Sequence, residues 1–244
     1  VLSERGRQIL DESEAAMRSM ARVRAVAGEL RRGNHGLLRI GAIAPLALGL
    51  VTRAVAAHRR AWPKVTIDVE VRGRQAQLEE LRAGRIDIGL AAMPIVGTGL
   101  RVEPILEADA VCLLPADHSL AHRAVLGPSD LAEEALVVGR PDSIIRQRFD
   151  DAFRQAGLVQ QVAAIVDSTS VGIAMVALGT GIAVTHAFPK DALPANVVQR
   201  RFRPRISFTY AMFTQDDGPR SAAVTQFGTA LRTVARTARR AMTG

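Results

Sequence analysis

Cysteine is nearly absent from this sequence of 244 residues, which contains only Cys112. A single cysteine excludes an internal disulfide framework, and no charged-then-apolar leader opens the sequence, so a reducing, cytoplasmic setting is expected. Cys112 lies in the apolar run Ala110–Leu114, inside a predicted strand, where its thiol would be inert. Long apolar runs are also missing, because glycine, proline or charge interrupts each candidate before the roughly 18 residues of a membrane span are reached. A membrane partner is not expected.

Aromatic residues make up only 4% of the chain, although its formal net charge is +8. The positive charge is concentrated at the two ends: residues 200–244 hold nine arginines against two aspartates, and residues 1–35 hold seven arginines against five acids. Only Phe202, Phe208 and Tyr210 stand near the C-terminal arginines. Few aromatics among many arginines argue against a stacking platform for single-stranded nucleic acid.

Catalytic and metal-binding motifs are missing as well. The spacing of His118 and His122 resembles metal ligation, but no third ligand accompanies them, so we expect ordinary loop residues and no metal or other cofactor. The sequence contains no G-x-S-x-G, no P-loop and no complete G-x-G-x-x-G. Ser168 and Ser170 have no visible histidine partner. The sequence therefore predicts that the chain is not an enzyme.

The sequence does contain one pattern that occurs twice. Val71–Ala92 predicts a strand end, a turn, a short helix ended by Gly84, and a buried strand. Moving 95 positions forward gives Val166–Ala187, in which Gly179 corresponds to Gly84 and apolar residues recur at matching positions. With 48% hydrophobic residues the chain can bury a sizeable core. We therefore predict two similar α/β halves.

The coarse order of elements through Ala92 is βαβαβ, which predicts a parallel sheet. In Val65–Val71 apolar and polar residues alternate, which predicts a strand with one buried face. The other predicted strands are Leu37–Ile43, Leu136–Gly139, Val162–Asp167, Gly181–His186, Ser207–Thr214 and two short ones within Leu100–Leu114. Predicted helices are Leu46–Ala61, Ser143–Ala156, Ser170–Leu178 and a final one whose buried face holds Val224, Phe227, Leu231, Val234 and Ala238. Pro115–Gly127 is expected to be a polar loop, followed by a short turn or helix at Pro128.

The first 30 residues predict a long amphipathic helix from Glu4 to about Leu30, capped by Ser3. Apolar residues recur in it at alternating spacings of four and three, as in a coiled-coil seam. Because Gly33–Gly36 is typical of a hinge, we favour pairing of this helix between chains over packing on its own domain. The chain starts with Val1, so we expect it to begin partway through a longer protein. The candidate dimerisation residues are Ile9, Ala16, Met20, Val23, Ala27 and Leu30.

The loops after the parallel strands are the places where α/β proteins bind ligands, because helix N-termini present free backbone N–H groups there. We expect such N-termini at Leu46, Arg74, Ser143 and Ser168–Ser170, with side-chain hydrogen bonds from Arg74, Gln75, Thr169 and Ser170. A small polar ligand between two lobes would fit this pattern. The alternative is that Ser168–Ser170 only caps its helix.

Four segments together resemble the LysR-type transcriptional regulators over nearly all of the chain. Leu2–Leu10 (LSERGRQIL) looks like the end of that family's winged helix-turn-helix and the start of its linker helix. Leu37–Gly41, Leu78–Leu90 (LEELRAGRIDIGL) and Val176–Val184 (VALGTGIAV) resemble patches of its effector-binding domain. The DNA-reading module itself is not seen before Leu2. The chain is thus expected to sense an effector, while promoter DNA would be bound through that module.

The resemblance implies an α/β fold of two Rossmann-like subdomains, of periplasmic-binding-protein type, after a linker and dimerisation helix with its hinge (1–36). Subdomain I would comprise 37–111 plus 210–244, and subdomain II 112–209, with an inducer cleft between them. It also implies assembly into a homodimer or homotetramer. The cleft residues that it implies are Ala44, Pro45, Gln75, Met93, Arg140, Ser143, Ser168, Thr169 and His186.

One departure from the family concerns the ligand. Many relatives have Ser or Thr where this chain has Ala44 and Pro45, and those hydroxyls help to hold a carboxylate. Asp142 and Asp167, near the expected mouth, favour instead a ligand with an amine, such as an amino acid or an opine-like derivative. The alternative function is a free solute-binding protein for a small polar metabolite, which would have an export signal and no heptad helix.

Overall fold

The computed structural model describes residues 36–141, 143–188, 192–216 and 220–243, together with Ser3, Gly6, Ile9, Ser13 and Met20. The strands are β1 (Leu37–Ala42), β2 (Thr66–Val71), β3 (Ile88–Ala92), β4 (Leu100–Pro115), β5 (Val125–Leu126), β6 (Ala135–Gly139), β7 (Gln161–Val166), β8 (Ile182–His186), β9 (Val197–Phe202) and β10 (Ser207–Gln215). The α-helices are α1 (Ala44–Leu46), α2 (Thr52–Ala61), α3 (Arg74–Arg82), α4 (Pro128–Leu131), α5 (Ile144–Gln155), α6 (Thr169–Ala177) and α7 (Ala222–Thr243). A π-helical turn (Ala47–Val51) joins α1 to α2, and a 3₁₀ helix (Ser119–His122) follows β4.

The chain forms two compact units. Unit 1 contains the described residues of Val1–Ile43, Val51–Pro104 and Ala211–Thr233; unit 2 contains those of Ala44–Leu50, Ile105–Tyr210 and Val234–Gly244. The chain therefore passes from one unit to the other five times: between Ile43 and Ala44, and within the π-helical turn, β4, β10 and α7. The predicted subdomain limits, 111/112 and 209/210, are set by family resemblance and stay a prediction.

Unit 1 is built on a parallel sheet. Strand β1 pairs in parallel with β2 on one side and with β3 on the other, and β10 follows β3 in the strand order. The core under α3 brings Leu78 and Leu81 together with Ile86, Ala91 and Phe213. The predicted parallel βαβαβ arrangement through Ala92 is confirmed.

Unit 2 contains a mixed sheet. Strand β8 lies between β4, to which it is antiparallel, and β6, to which it is parallel. Strand β7 pairs in parallel with β6, while β9 pairs antiparallel with β4 and parallel with β5. The core under α6 includes Ile173 and Val176, packed with Leu113, Val137 and Phe188.

The repeated pattern of the sequence folds twice into the same local structure. Gly84 after α3 has φ +68° and Gly179 after α6 has φ +76°, a backbone conformation that glycine adopts without a Cβ penalty. In both places the next residue donates its N–H to the carbonyl five residues earlier, Arg85 to Glu80 and Thr180 to Met175. This is the Schellman ending of a helix. The two halves therefore share their helix terminus as well as their apolar spacing.

Several sequence predictions about strands are wrong. Leu100–Leu114 is one long strand, β4, since a proline such as Pro104 removes only its own N–H donor and the chain stays extended. The predicted buried face of Val65–Val71 is buried only at its start: Val65 is 8% exposed, whereas Val69 is 39% and Val71 57% exposed at the end of this outermost strand. Strand β9 was not predicted, and Pro115–Gly127 contains a 3₁₀ helix and β5 besides loop.

The helical segment after β1 begins at Ala44 rather than at the predicted Leu46. It includes a π-helical turn, in which each turn holds about one residue more than in an α-helix. The final helix agrees with its prediction, since Val224, Phe227 and Leu231 are buried. Of the predicted N-terminal helix, only isolated residues are described. Ile9 and Met20 are helical and largely exposed. The other candidate dimerisation residues, Ala16, Val23, Ala27 and Leu30, lie outside the described residues, as does Asp142.

Candidate functional site

Unit 2 contains a small pocket, partly open to solvent, with a cavity volume of about 30 Å³. Its wall is formed by α1 and the π-helical turn, by the middle of β4, by the end of β8 and the residues after it, by β10 and by α7. The lining residues are Pro45, Leu46, Gly49, Leu50, Leu106, Ala108, His186, Ala187, Phe188, Tyr210 and Ala238. All of them belong to unit 2. No lining residue carries a charge at neutral pH, provided that His186 is neutral.

His186 is the last residue of β8 and is 8% exposed. Burial lowers the pKa of its imidazole to about 3, so the ring is neutral at physiological pH. Its ring lies against two aromatic rings of β10, with its centroid 5.2 Å from that of Phe208 and 5.1 Å from that of Tyr210. Its Nδ1 atom has no hydrogen-bond partner among the described residues.

Tyr210 is the only tyrosine of the chain and is 1% exposed. Its hydroxyl is also buried and has no hydrogen-bond partner among the described residues. Buried hydroxyls and imidazole nitrogens normally find a partner, because leaving one unsatisfied costs about 1–3 kcal/mol. The pocket thus has two neighbouring polar groups, His186 and Tyr210, in an otherwise apolar wall.

The charged groups near this wall are satisfied by one another. Asp109 follows the lining residue Ala108 and accepts hydrogen bonds from Ser207 Oγ at 2.6 Å and from Arg205 Nε at 2.9 Å. Burial alone would raise the pKa of the Asp109 carboxyl, but these two hydrogen bonds outweigh it and lower that pKa. The Arg148 guanidinium lies 5.7 Å from the ring centroid of Phe208 and donates to the Ser207 carbonyl oxygen. None of these charges lines the pocket.

Three of the predicted ligand-binding residues, Pro45, Leu46 and His186, come together in this pocket. Ala44 begins α1, and α1 packs beside α6, whose first residues are the predicted Thr169 and Ser170. Sequence analysis missed Tyr210, Leu106, Ala108 and Ala238. The one available signal was that the chain has a single tyrosine, which lies in the predicted strand Ser207–Thr214.

The predicted helix N-termini of unit 2 are present at α5 and α6. Ser143 and Ser168 are their N-cap residues, but neither side chain makes a capping hydrogen bond. The Ser143 N–H donates to the Arg140 carbonyl at 3.0 Å, which closes the loop before α5. Simple side-chain capping, the alternative role for Ser168, is therefore not what its hydroxyl does in this structure. The ligand-binding role of these residues stays a prediction.

The remaining predicted residues lie in unit 1. The Arg74 guanidinium donates to the carbonyl oxygens of Ala92 at 3.4 Å and Pro94 at 3.0 Å, so it joins the loop around Met93 to the start of α3. Gln75 is exposed and donates to Glu79 within the same helix. Their ligand-binding role is not tested by these contacts and stays a prediction.

A buried glutamine, Gln77, organises the same part of unit 1 and was missed. Its side-chain amide donates to the Arg72 carbonyl at 2.7 Å and to the Leu90 carbonyl at 3.3 Å, and its Oε1 accepts from the Leu90 N–H at 2.8 Å. Gln77 therefore fixes the end of β2 and the start of α3 to β3. The signal in the sequence was a polar residue four positions before Leu81, on the apolar side of the helix.

The histidines and the cysteine that were considered as metal-binding or reactive residues have structural roles. His118 Nδ1 accepts the Leu120 N–H at 3.1 Å and so caps the 3₁₀ helix that ends at His122. Cys112 is buried, and burial together with the Asp130 charge raises the pKa of its thiol. In the described part of the chain no group of three or more His, Cys, Asp or Glu side chains is arranged to hold a metal ion. No described helix combines the length and the apolar character needed to cross a membrane.

The architecture has counterparts among solved structures. The effector-binding domain of BenM, solved with its effector benzoate, matches with a TM-score of 0.68 at 20% identity, over 83% of this chain and 93% of that one. A mixed α/β fold of periplasmic-binding-protein type, as used by effector-binding domains, is therefore the class of this protein.

Sequence comparison gives the family. The model of the LysR substrate binding domain matches residues 31–236, and the chain belongs to this family. The regulatory protein NocR of Agrobacterium tumefaciens (strain T37) is 29% identical over 208 residues, covering 84% of this chain and 69% of NocR. The transcriptional activator LysR of Escherichia coli (strain K12) is 27% identical over 224 residues, covering 91% of this chain and 72% of LysR. These relatives are regulators.

Proposed function

We propose that this chain is the effector-sensing and self-associating part of a bacterial LysR-type transcriptional regulator. The observation that carries the proposal is the match of residues 31–236 to the LysR substrate binding domain, and the apolar pocket of unit 2, lined by His186 and Tyr210, is the candidate site. A concave, mostly apolar pocket with a few converging polar groups is the usual form of a small-molecule site. BenM holds benzoate in a domain of the same fold, which supports a small-molecule effector for this chain as well.

The pocket lies where the chain changes unit. Leu50 and Tyr210 are the last residues of their segments of unit 2, and Leu106 follows the crossover in β4 by one residue. A ligand that contacts these residues would hold the segments that continue into unit 1. Binding shifts a conformational equilibrium only as far as the affinities for the two states differ. We propose that effector occupancy is transmitted through these crossover segments.

Family membership favours this function over a free solute-binding protein, which was the alternative. We assign sequence-specific promoter contact to the family's winged helix-turn-helix module rather than to the residues described here, and a regulator of that kind acts in the cytoplasm. We propose no enzymatic activity, because the named relatives are regulators.

Self-association has two kinds of support. Strands β2 and β7, the first and last of the strand order, expose apolar side chains: Val71 is 57% and Ile165 56% exposed. Exposed apolar residues on an edge strand are typical of a surface that pairs with another chain. Met20, of the predicted heptad seam, is 59% exposed. We propose that both β edges and the seam contact further copies of this chain.

Light scattering tests this assembly. Val71→Lys and Ile165→Lys should each lower the measured molar mass, and Met20→Glu together with Val23→Glu should do so at the seam. Val96→Lys is the matched control, since Val96 is 78% exposed but lies in a loop. An unchanged mass in all three test variants would contradict the proposed self-association.

A thermal-shift screen of small carboxylates, amino acids, their conjugates and neutral metabolites tests the sensing function. A ligand at about 100 times its dissociation constant adds roughly 2.7 kcal/mol of stability. We expect at least one hit, and we expect Ala108→Leu, which fills the pocket, to abolish its shift. Val159→Leu, at an exposed position, is the control. Hits that survive Ala108→Leu would place the effector elsewhere, and a screen without any hit would contradict the sensing function.

A further inference from the structure

The end of α2 and the turn after it form an exposed basic surface in unit 1. Residues 59–64 are all exposed, and they include Arg59, Arg60, Lys64 and Trp62, the only tryptophan of the chain. We call these six residues the α2-end surface. We propose that the α2-end surface binds the phosphate backbone of duplex DNA. The inference rests on the proposed function, because it identifies the partner as the DNA on which such a regulator sits.

The α2-end surface is held firmly by the rest of unit 1. The last turn of α2 is anchored by His58, which is buried, with its ring centroid 5.9 Å from that of Phe227 in α7. Beyond the helix, the Trp62 N–H donates to the His58 carbonyl at 2.8 Å, and the Val65 N–H donates to the Trp62 carbonyl at 3.3 Å. Because the backbone is already fixed, a partner that binds there orders only the side chains.

The positive charge of the α2-end surface is not neutralised by the chain itself. Residues 37–67 contain no acidic residue. The side chains of Arg59, Arg60 and Lys64 make no ion pair and no hydrogen bond within the described part of the chain. Basic residues in the last turn of a helix complement its dipole, which accounts for the two arginines alone. Lys64 and the 45% exposed Trp62 lie beyond the helix and are left without such an explanation.

The hydrogen-bonding character of the surface favours DNA as the partner. Arginine, lysine and tryptophan side chains donate hydrogen bonds and accept none. The phosphates of duplex DNA accept and do not donate, and they place one negative charge per about 1.7 Å of helix axis. A second copy of this chain offers less negative charge, since acids such as Asp109 and Asp150 are already paired with Arg205 and Arg146. A continuous line of phosphates is therefore the matching surface.

Such a contact would add affinity without reading sequence, because phosphate contacts position a protein on DNA and carry no base information. The winged helix-turn-helix module of a whole regulator would hold DNA near unit 1, and a second, tethered contact then acts at a high effective concentration. The α2-end surface would thus strengthen binding to any sequence that flanks the operator.

The salt dependence of DNA binding tests the proposal. Fluorescence anisotropy of a labelled duplex of arbitrary sequence, titrated with the whole chain, gives the slope of log K against log salt. Arg59→Gln together with Arg60→Gln should reduce the size of that slope by about 1.8, which is 0.9 for each lost phosphate contact. The ratio of wild-type to variant affinity should then grow about sixtyfold for each tenfold decrease in salt.

Two double variants serve as controls. Arg59→Lys with Arg60→Lys keeps the charge of the surface and should keep the slope. Arg201→Gln with Arg203→Gln removes the same net charge from exposed arginines of unit 2, and the slope should change little. Thermal unfolding of the Arg59→Gln, Arg60→Gln protein should match that of wild type, because the side chains it changes are exposed.

Trp62 supplies an independent signal, since all tryptophan fluorescence of the chain comes from it. Duplex DNA should shield Trp62 from quenching by acrylamide, a neutral reagent that the basic surface does not attract. The shielding should be lost in the Arg59→Gln, Arg60→Gln protein.

Four results would overturn the inference: no binding of the duplex by wild type, an unchanged slope in Arg59→Gln with Arg60→Gln, an equal loss of slope in the unit 2 control, or an unshielded Trp62. A polyglutamate peptide that shields Trp62 more strongly than the duplex does, at equal concentration of negative charge, would assign the surface to an acidic protein instead. None of these results bears on effector sensing, which the ligand screen decides separately.

Discussion

Gly89 of β3 packs directly against the ring of Phe213 in the core of unit 1. A Cβ atom on residue 89 would lie 2.7 Å from Phe213 Cε1 and closer still to Cζ. Both residues are central, since β3 is buried along its whole length and Phe213 is fully buried. The close packing of β3 with β10 therefore requires glycine at this position.

Gly89→Ala should lower the free energy of unfolding by about 1–3 kcal/mol, the usual cost of forcing an extra methyl group into a packed core. Urea denaturation measures this change. Gly139→Ala is the control, because a Cβ atom there meets Ser143 at an ordinary 3.6 Å. Equal stability of the two variants would contradict the tight Gly89–Phe213 contact.

Gln77→Leu should destabilise unit 1 by about 1–3 kcal/mol for each polar group that it leaves buried without a partner. The groups at risk are the Leu90 N–H and the Arg72 carbonyl, which Gln77 satisfies. Chemical denaturation again provides the measurement. Gln75→Leu, two residues earlier on the exposed side of α3, is the control and should change stability little. A Gln77→Leu protein as stable as the control would show that these hydrogen bonds contribute nothing net.

Gly84→Ala and Gly179→Ala should each cost about 1 kcal/mol, because alanine is strained at positive φ although neither site has an atom within 4 Å of the added Cβ. Similar costs at both positions are expected from their shared helix ending. Gly228→Ala, inside α7, should instead raise the free energy of unfolding, because alanine has a higher helix propensity than glycine. A cost at only one of the two C-terminal glycines would contradict their equivalence.

Stability should depend on pH through His186. Its pKa is about 3 in the folded chain, because of burial, and about 6.5 when unfolded. Between these values only the unfolded chain binds the proton, so acidification favours unfolding, by about 2 kcal/mol from pH 7 to pH 5. His186→Phe should remove that share of the pH dependence.

Two controls separate this effect from other titrations. His58 contributes to the pH dependence in the same direction, because burial lowers its pKa as well. The loss of stability on acidification should therefore be smaller in His186→Phe than in wild type, but not absent. Val159→Leu, at an exposed position that carries no titratable group, should leave the pH dependence as it is. If wild type and His186→Phe lost the same stability between pH 7 and pH 5, the prediction that His186 is buried as a neutral imidazole would be wrong.

The sequence was sufficient for the elements that local patterns define. The spacing around Leu78 and Gly84 predicted a helix, its end and the buried strand after it, and the copy around Gly179 behaved in the same way. These features depend on neighbours within one turn or one strand, which a single sequence displays.

The pocket could be predicted only in part. Pro45 and His186 were found because they lie at or just after the ends of strands, but Tyr210 and Ala238 reach the same pocket from distant parts of the chain. Their proximity depends on the pairing of β4, β8 and β10, and periodicity carries no information about such long-range pairing. The exposed face of β2 was missed for the same reason, since alternation does not reveal that a strand lies at an edge.

Cys112 also decides how this protein can be labelled. The only thiol of the chain is fully buried, and its raised pKa keeps it protonated, so it should not react with maleimide reagents. A cysteine introduced at an exposed position such as Val96 or Val159 would then be the single reactive site. Fluorophores or spin labels can thus be attached to the otherwise unaltered chain, and ligand-induced motion followed spectroscopically, without first removing the native cysteine.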